Sequence, residues 1–278
     1  MRQTHYPRDI VLHSPPLGEA WLEIRWQMQQ SGFPGQAQDA NFPFALGLFY
    51  EAVRDKYPHK RDLDSSRAPP DLLPHIVRHQ FWKGDYKWPV LQLGPGIATV
   101  NFTRPYSWSF LKEEALYLRE KLQNAYNGAL PHGRLITLRY LNAEPFDFIE
   151  NDILEFLSTK LNTKLKLPTY MPGDFSLKSF PKNLNIQVSY ELIEPKGTAS
   201  VMIATGAREI PPKAGPPENL VNSTLWQIDV SSENYDVPNL ADAECYSEWL
   251  DSAHLVIHEW FFSFTDGELY AKYKKEQR

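Results

Sequence analysis

The chain has 278 residues, of which 42% are hydrophobic and 23% are charged, and this composition is typical of globular proteins and too apolar for a disordered chain. A formal net charge of -5 excludes strong overall attraction to nucleic acid or to an anionic bilayer. The only cysteine, Cys245, excludes an internal disulfide and a thiolate zinc cluster, so we expect a reducing compartment, with the cytoplasm as the default. Residues 1–10 lack the apolar core of a signal peptide, and no stretch approaches about 20 apolar residues, so we expect no membrane association.

The chain opens with a predicted strand over residues 17–26, because apolar side chains alternate there with Glu19, Trp21, Glu23 and Arg25. Helical spacing of apolar side chains predicts a helix over residues 42–57, which Pro58 ends. Residues 58–74 are charged and contain proline, and this composition predicts a basic surface loop.

Two further strands and a helix are predicted to complete the first half. Residues 75–82 and 90–102 alternate as strands, and Gly94-Pro95-Gly96 predicts a sharp turn or bulge inside the second. Residues 106–126 carry apolar side chains every three or four positions, which predicts a helix that Gly128 can cap.

The second half is predicted to repeat this order of elements. The same patterns predict a strand over residues 134–143, a helix over 148–161, strands over 185–193, 199–207 and 224–230, and a long helix over 240–264. Residues 194–197 are predicted to form a hairpin turn between the strands over 185–193 and 199–207.

These elements predict an α+β fold made of two similar strand-helix-strand-strand-helix halves, residues 1–130 and 131–278. We expect antiparallel sheets with helices on one face, packed as one body. A degenerate duplication would explain the similar halves, and a coincidental element order is the alternative. The sequence leaves open whether the halves form two sheets or one.

The final helix contains a candidate polar site. His254 and His258 are four residues apart and lie on one side of the helix, a geometry that permits metal chelation. Glu259 is expected to project about 100° away from His258, and no third ligand is evident, so we predict no metal site. The alternative is that both histidines border a buried seam.

The same helix is apolar around most of its circumference, and such a helix requires two covers. One interpretation is that it packs between sheets of its own chain. The other is that one side contacts a partner or a second copy, and this interpretation selects Leu255, Val256, Trp260 and Phe262 as interface residues.

A basic segment offers a candidate phosphate contact, formed by Arg54, Lys60, Arg61 and Arg67. Aspartates interrupt this segment, so a solvated face is favoured and nucleic-acid binding is possible without being favoured. Gly94-Pro95-Gly96 lacks the Lys-Ser/Thr ending of a phosphate loop, and the chain has no G-x-S-x-G elbow. We therefore expect no cofactor and find no local support for nucleophilic catalysis.

Three segments carry a resemblance to a known family. They are PPLGEA and LEIRW (15–20 and 22–26), LQLGPG with VN, YSW and LRYLN (91–96, 100–101, 106–108 and 138–142), and Ala253-His254 with Phe261 behind it. These residues resemble a sporadically distributed prokaryotic protein family of about this length for which no activity is established. The resemblance implies a shared fold, and its sporadic occurrence is typical of mobile or defence-linked genes.

The leading hypothesis is a non-enzymatic protein-interaction component of a bacterial defence or toxin-antitoxin-like system. The motivation is the absence of a catalytic motif together with an apolar terminal helix. Two alternatives stay open: a hydrolase or transferase with a site between the halves that involves His254 or His258, and a nucleic-acid-binding protein that uses the segment from Arg54 to Arg67.

Overall fold

A computed structural model describes residues 6–7, 10, 12–30, 37–69, 73–103, 105–148, 150–166, 181, 183–210 and 219–275, and the side chains at 207–210 and 219–221 lie outside that description. Most of residues 1–10, where we expect no signal peptide, also lie outside it. The helices are α1 (Phe42–Val53), α2 (Trp108–Ala125), α3 (Ile153–Lys160), α4 (Ala243–Thr265) and α5 (Glu268–Lys274). The strands are β1 (Leu17–Trp26), β2 (Gln29–Gln30), β3 (Ala37–Gln38), β4 (His59–Asp62), β5 (His79–Gly84), β6 (Lys87–Gly94), β7 (Ile97–Phe102), β8 (Gly133–Pro145), β9 (Asn185–Leu192), β10 (Gly197–Ile210) and β11 (Asn219–Glu233).

The two halves meet in one continuous antiparallel sheet of nine strands, in the order β4-β5-β6-β7-β1-β8-β11-β10-β9. Strands β1 and β8 pair at the centre, from Leu17 opposite Asn142 to Trp26 opposite Gly133. Beyond β1 the first half adds four strands, β7, β6, β5 and β4, and beyond β8 the second half adds three, β11, β10 and β9. The α+β prediction is confirmed, and the halves share one sheet, which answers the question that the sequence left open. A duplication as the origin of the halves stays a prediction.

The described helices cover only one face of this sheet. Alternation on β1 buries four side chains completely on that face, Ala20, Leu22, Ile24 and Trp26. The Phe49 ring of α1 packs against Phe81 of β5 at 5.3 Å between centroids, and Phe110 of α2 packs against Phe102 of β7 at the same separation. All five helices contribute to this single hydrophobic core, which leaves the opposite face of the sheet to side chains of other kinds.

Side-chain caps fix where three of the helices begin. Ser107 accepts a hydrogen bond from the Phe110 amide at the start of α2. Asp152 does the same for α3, and Asp242 accepts from two amides at the start of α4. Each cap satisfies amides that the first helical turn leaves unpaired. This explains why α3 begins at Ile153 and not at residue 148, where helical spacing placed it.

Two predicted elements are wrong in detail. Residues 58–74 contain strand β4, which pairs with β5, and are therefore not wholly a loop. The predicted sharp turn at Gly94-Pro95-Gly96 is confirmed, but it divides residues 90–102 into two strands, β6 and β7, which pair as a hairpin. Gly96 adopts a φ of +74°, a left-handed conformation that a residue with a side chain rarely adopts, so the turn selects glycine.

Three buried carboxylates, each bound by a tyrosine hydroxyl, hold the helices and connecting segments onto the sheet. Tyr126 donates to Asp39 at 2.6 Å. Tyr57 donates to Glu114 at 2.7 Å, and Tyr273 donates to Glu144 at 3.1 Å. Two lysines, Lys56 and Lys83, neutralise Glu114. Buried carboxylates persist only where such donors replace lost water.

The network around Asp39 predicts a large stability cost for its removal. Asp39 also accepts from the Trp26 indole at 2.9 Å and from the Gly96 amide at 3.3 Å. We expect Asp39→Ala to lower the free energy of unfolding by at least about 3 kcal/mol, because several buried donors lose their acceptor at once. Urea denaturation measures this change.

The control is Asp64→Ala, whose carboxylate is exposed and forms only an i,i+3 pair with Arg67. We expect this change to stay within about 0.5 kcal/mol. Equal losses in the two variants would contradict a structural role for the Asp39 network.

Candidate functional site

The sheet face opposite the helices, here called the open face, is lined by polar and aromatic side chains. Residues directly opposite each other on paired strands point to the same face, so the register gives two neighbouring rows across the sheet. The first row is Trp82, Val90, Asn101, Trp21, Arg139, Asp229, Ser200 and Ser189. The second is Arg61, Gln80, Gln92, Thr99, Glu23, Thr137, Ser231, Thr198 and Glu191.

The centre of the first row is an ordered group of four side chains, here called the Trp21 cluster: Trp21, Arg139, Asp229 and Gln227. The Arg139 guanidinium lies over the Trp21 ring, 5.0 Å from its centroid. Its Nε donates to Asp229 at 2.7 Å, and the Gln227 amide donates to the other oxygen of that carboxylate at 3.0 Å. Stacking and hydrogen bonding therefore fix the guanidinium before any ligand arrives.

Beside the Trp21 cluster, a second network runs between β1 and β7. Thr99 donates to the Asn101 side chain at 2.6 Å, and the Asn101 amide donates to Glu19 at 2.7 Å. Burial raises the pKa of the Glu19 carboxyl above its usual 4.5, and the Asn101 hydrogen bond offsets part of this rise. Arg25 forms an ion pair with Glu23 at 2.6 Å. The central open face therefore presents both signs of charge.

At one end of the open face, aromatic rings surround an arginine. Trp82 contacts Trp88 edge-on at 5.2 Å between centroids and contacts Tyr86 at 6.0 Å. The Arg61 guanidinium lies over the Tyr86 ring, 4.2 Å from its centroid. A cavity of about 350 Å³ opens here, lined by Tyr50, Pro58, His59, Lys60, Arg61, Trp82, Gly84, Asp85 and Tyr86.

The predicted phosphate contacts are only partly brought together. Lys60 and Arg61 border the cavity, but Lys60 forms an ion pair with Asp62 at 2.7 Å. Arg54 pairs with Glu51 at 2.8 Å on α1, and Arg67 lies 3.6 Å from Asp64. Because three of the four cations have a carboxylate partner, the segment offers little unneutralised positive charge for a phosphate.

His254, from the predicted polar site, lies in a packed aromatic seam between α2, α4 and β8. Its ring is stacked flat on Trp108, 4.0 Å between centroids and 6° from parallel. Its Nδ1 lies 3.1 Å from the Tyr140 hydroxyl, which also contacts the Tyr106 hydroxyl. Burial raises the pKa of both phenols above the usual 10, so both stay protonated at neutral pH. They hydrogen-bond in this seam as neutral phenols.

His258 and Glu259 differ from the expectation. The His258 ring packs against Phe262 at 4.7 Å between centroids, and its Nδ1 lies 3.6 Å from a Glu259 oxygen. The carboxylate therefore reaches its neighbour despite the angular offset of consecutive helical residues. Among the residues that the structure describes, no group of three His, Cys, Asp or Glu side chains is arranged to hold a metal ion.

The four predicted interface residues on α4 are largely covered within the chain. Phe262 is buried and stacks on Tyr6 at 5.4 Å between centroids. Leu255, Val256 and Trp260 are half-buried, and Trp260 contacts Tyr190 of β9 edge-on at 5.6 Å. An interface formed by these residues stays a prediction.

Sequence reasoning missed Arg139, Asp229 and Gln227 as site residues. Alternation along β1 placed Trp21 on the polar side of the strand, and this was the available signal. The partners that complete the Trp21 cluster come from β8 and β11, and only the strand register brings them to Trp21.

No family model, curated protein or solved structure matches the chain. The resemblance to the sporadic prokaryotic family stays a prediction. Within the described part of the chain, every helix is too short or too polar to span a membrane.

The raised pKa of Glu19 predicts a pH-dependent stability. Since the folded pKa lies above the usual 4.5, the folded state binds more protons than the unfolded state between these two values. The contribution of Glu19 to the free energy of unfolding is fully present below pH 4.5. It is lost as the pH rises through the pKa of this carboxyl in the folded state. We expect Glu19→Gln to have a larger free energy of unfolding than the wild type at about pH 8. This difference should shrink toward about pH 4.

Urea denaturation at both pH values measures the effect. Glu248→Gln, an exposed change on α4, controls for the loss of one surface charge. A Glu19→Gln difference that grows toward acid pH would show that the carboxylate is stabilised, not penalised, by its surroundings.

Proposed function

We propose that this chain is a non-catalytic interaction protein that binds a protein partner through the open face of its sheet. The observation that carries the proposal is the Trp21 cluster, because its arginine is held between a tryptophan ring and a carboxylate at the centre of that face. Tryptophan and arginine are the side chains that most often dominate the energy of protein interfaces.

The kind of partner follows from the chemistry of the face. On β1, β8 and β11 the open face carries Glu19, Glu23, Asp229 and Glu233 against Arg25 and Arg139. Such a mixture repels a polyanion and suits a protein surface with both signs of charge. The less buried hydroxyl and amide side chains of the two rows supply donors and acceptors for a polar rim, and they include Gln80, Gln92, Ser189, Thr198 and Ser200.

The proposed biological setting is a bacterial defence or toxin-antitoxin-like system. The sequence resemblance supports this setting. The Trp21 cluster is compatible with the setting but does not require it. In that setting the partner of the open face would be a toxin or an effector protein.

The test uses the tagged full chain and its Trp21→Ala and Arg139→Ala variants, expressed in the native host. We expect proteins that copurify with the wild type to be lost from both variants. With a purified partner, isothermal titration calorimetry should show that each substitution raises Kd by about 30-fold or more, as expected for a central interface residue.

Phe44→Ala is the matched control, because it truncates a large aromatic that is 77% exposed on α1, away from the open face. Circular dichroism establishes that each variant is folded. Partner binding that survives in both cluster variants would disprove the proposal.

The rival hydrolase or transferase hypothesis makes a different prediction for His254. We expect His254→Ala to lower the free energy of unfolding by about 2 kcal/mol, because the Trp108 stack and the Tyr140 hydrogen bond are lost together. Partner affinity should change by less than about twofold, since His254 lies on the helix-covered side of the sheet.

Urea denaturation and the same calorimetric titration measure both quantities. A His254→Ala protein with wild-type stability and a lost hydrolytic or transfer activity would favour the enzyme instead.

A further inference from the structure

The two edges of the sheet differ in how they resist pairing with another strand. Strand β4, at one edge, has four residues, His59-Lys60-Arg61-Asp62, and all are polar and three carry cationic or imidazole groups. Short, charged edge strands discourage further pairing. Strand β9, at the other edge, has eight residues, contains no lysine, arginine or proline, and has Glu191 as its single charged residue. Among the described strands, β9 pairs with β10 alone.

Strand β9 also exposes apolar side chains on the helix-covered side of the sheet. Val188 is 39% exposed and Tyr190 is 55% exposed. Tyr190 contacts Trp260 of α4, so this apolar surface continues into the predicted interface on α4. Within the described part of the chain, this edge therefore combines main-chain groups that no second strand pairs with and a partly exposed apolar strip.

We infer that two copies of this chain associate edge to edge through antiparallel pairing of β9 with β9. The sequence of the strand is the reason to choose a second copy as the occupant. In a pairing centred on Val188, Ile186 lies opposite Tyr190 and Gln187 lies opposite Ser189. Glu191 then lies opposite Asn185 and not opposite its own copy.

This self-complementary order places apolar residues opposite apolar residues and polar residues opposite polar ones. A two-fold axis perpendicular to the sheet keeps both open faces on the same side. The two nine-stranded sheets become one, and the apolar strip of each copy continues onto the other. No residue of the Trp21 cluster takes part in this association. An experiment can therefore disprove the association without disproving the proposed partner binding, and the reverse also holds.

The first test is the oligomeric state of the purified full chain by sedimentation velocity and light scattering across micromolar concentrations. We expect a reversible dimer. Val188→Lys and Tyr190→Lys should each raise the dimer Kd by about 100-fold or more, because each change acts twice in a symmetric interface. Both side chains are substantially exposed in the monomer, so the variants should fold and keep the far-UV circular dichroism spectrum of the wild type.

Phe44→Lys is the matched control, since it adds the same charge at an exposed apolar position outside β9. It should leave the dimer intact. A monomer at every concentration would overturn the inference. So would a dimer that survives Val188→Lys and Tyr190→Lys.

Cysteine cross-linking tests the register. In a Cys245→Ser background, Val188→Cys should form a covalent dimer with a short bismaleimide, because the two copies of this residue face each other across the axis. Glu191→Cys should not, since its two copies would lie about 20 Å apart along the paired strands. Cross-linking at 191 without cross-linking at 188 would exclude this register.

Discussion

The pairing of β1 with β8 is the contact on which the rest of the structure depends. It joins the two halves into one sheet, so that one core and one open face extend across both. It also places Trp21 directly opposite Arg139. The proposed binding site is thus built at the junction of the halves, and neither half contains it alone. Any change that separates β1 from β8 would remove the Trp21 cluster together with the core.

Much of the architecture could be predicted from local patterns, and the site could not. Strict alternation placed β1 at its observed residues, and the 3.6-residue spacing of apolar side chains located α2 and α4 to within a few residues. Strand β4 escaped detection because His59-Lys60-Arg61-Asp62 has no apolar alternation and is held by its pairing with β5. The Trp21 cluster required the register of three strands that are distant in sequence, which no local pattern carries.

Contacts within the chain explain why α4 is apolar around most of its circumference. The helix packs on β8 and β11, contacts α2 and α5, and receives Tyr6 on Phe262 and Tyr190 on Trp260. An all-round apolar helix requires covers on more than one side, and these elements supply several of them. Among the described residues, none of the large exposed apolar side chains lies on α4, whereas Val188 and Tyr190 of strand β9 are exposed.

The polar groups inside the protein differ from those on the open face in how they are held. Asp39, Glu114 and Glu144 each receive hydrogen bonds from a tyrosine, and His254 is stacked on Trp108 while it contacts Tyr140. Groups held in this way keep one orientation inside the protein, whereas a general acid or base must reach the proton that it transfers. On the open face, by contrast, Arg139 is oriented and half-exposed. Preorganisation at an accessible surface lowers the cost of binding a partner, and this is the physical basis of the proposal that the open face binds a protein.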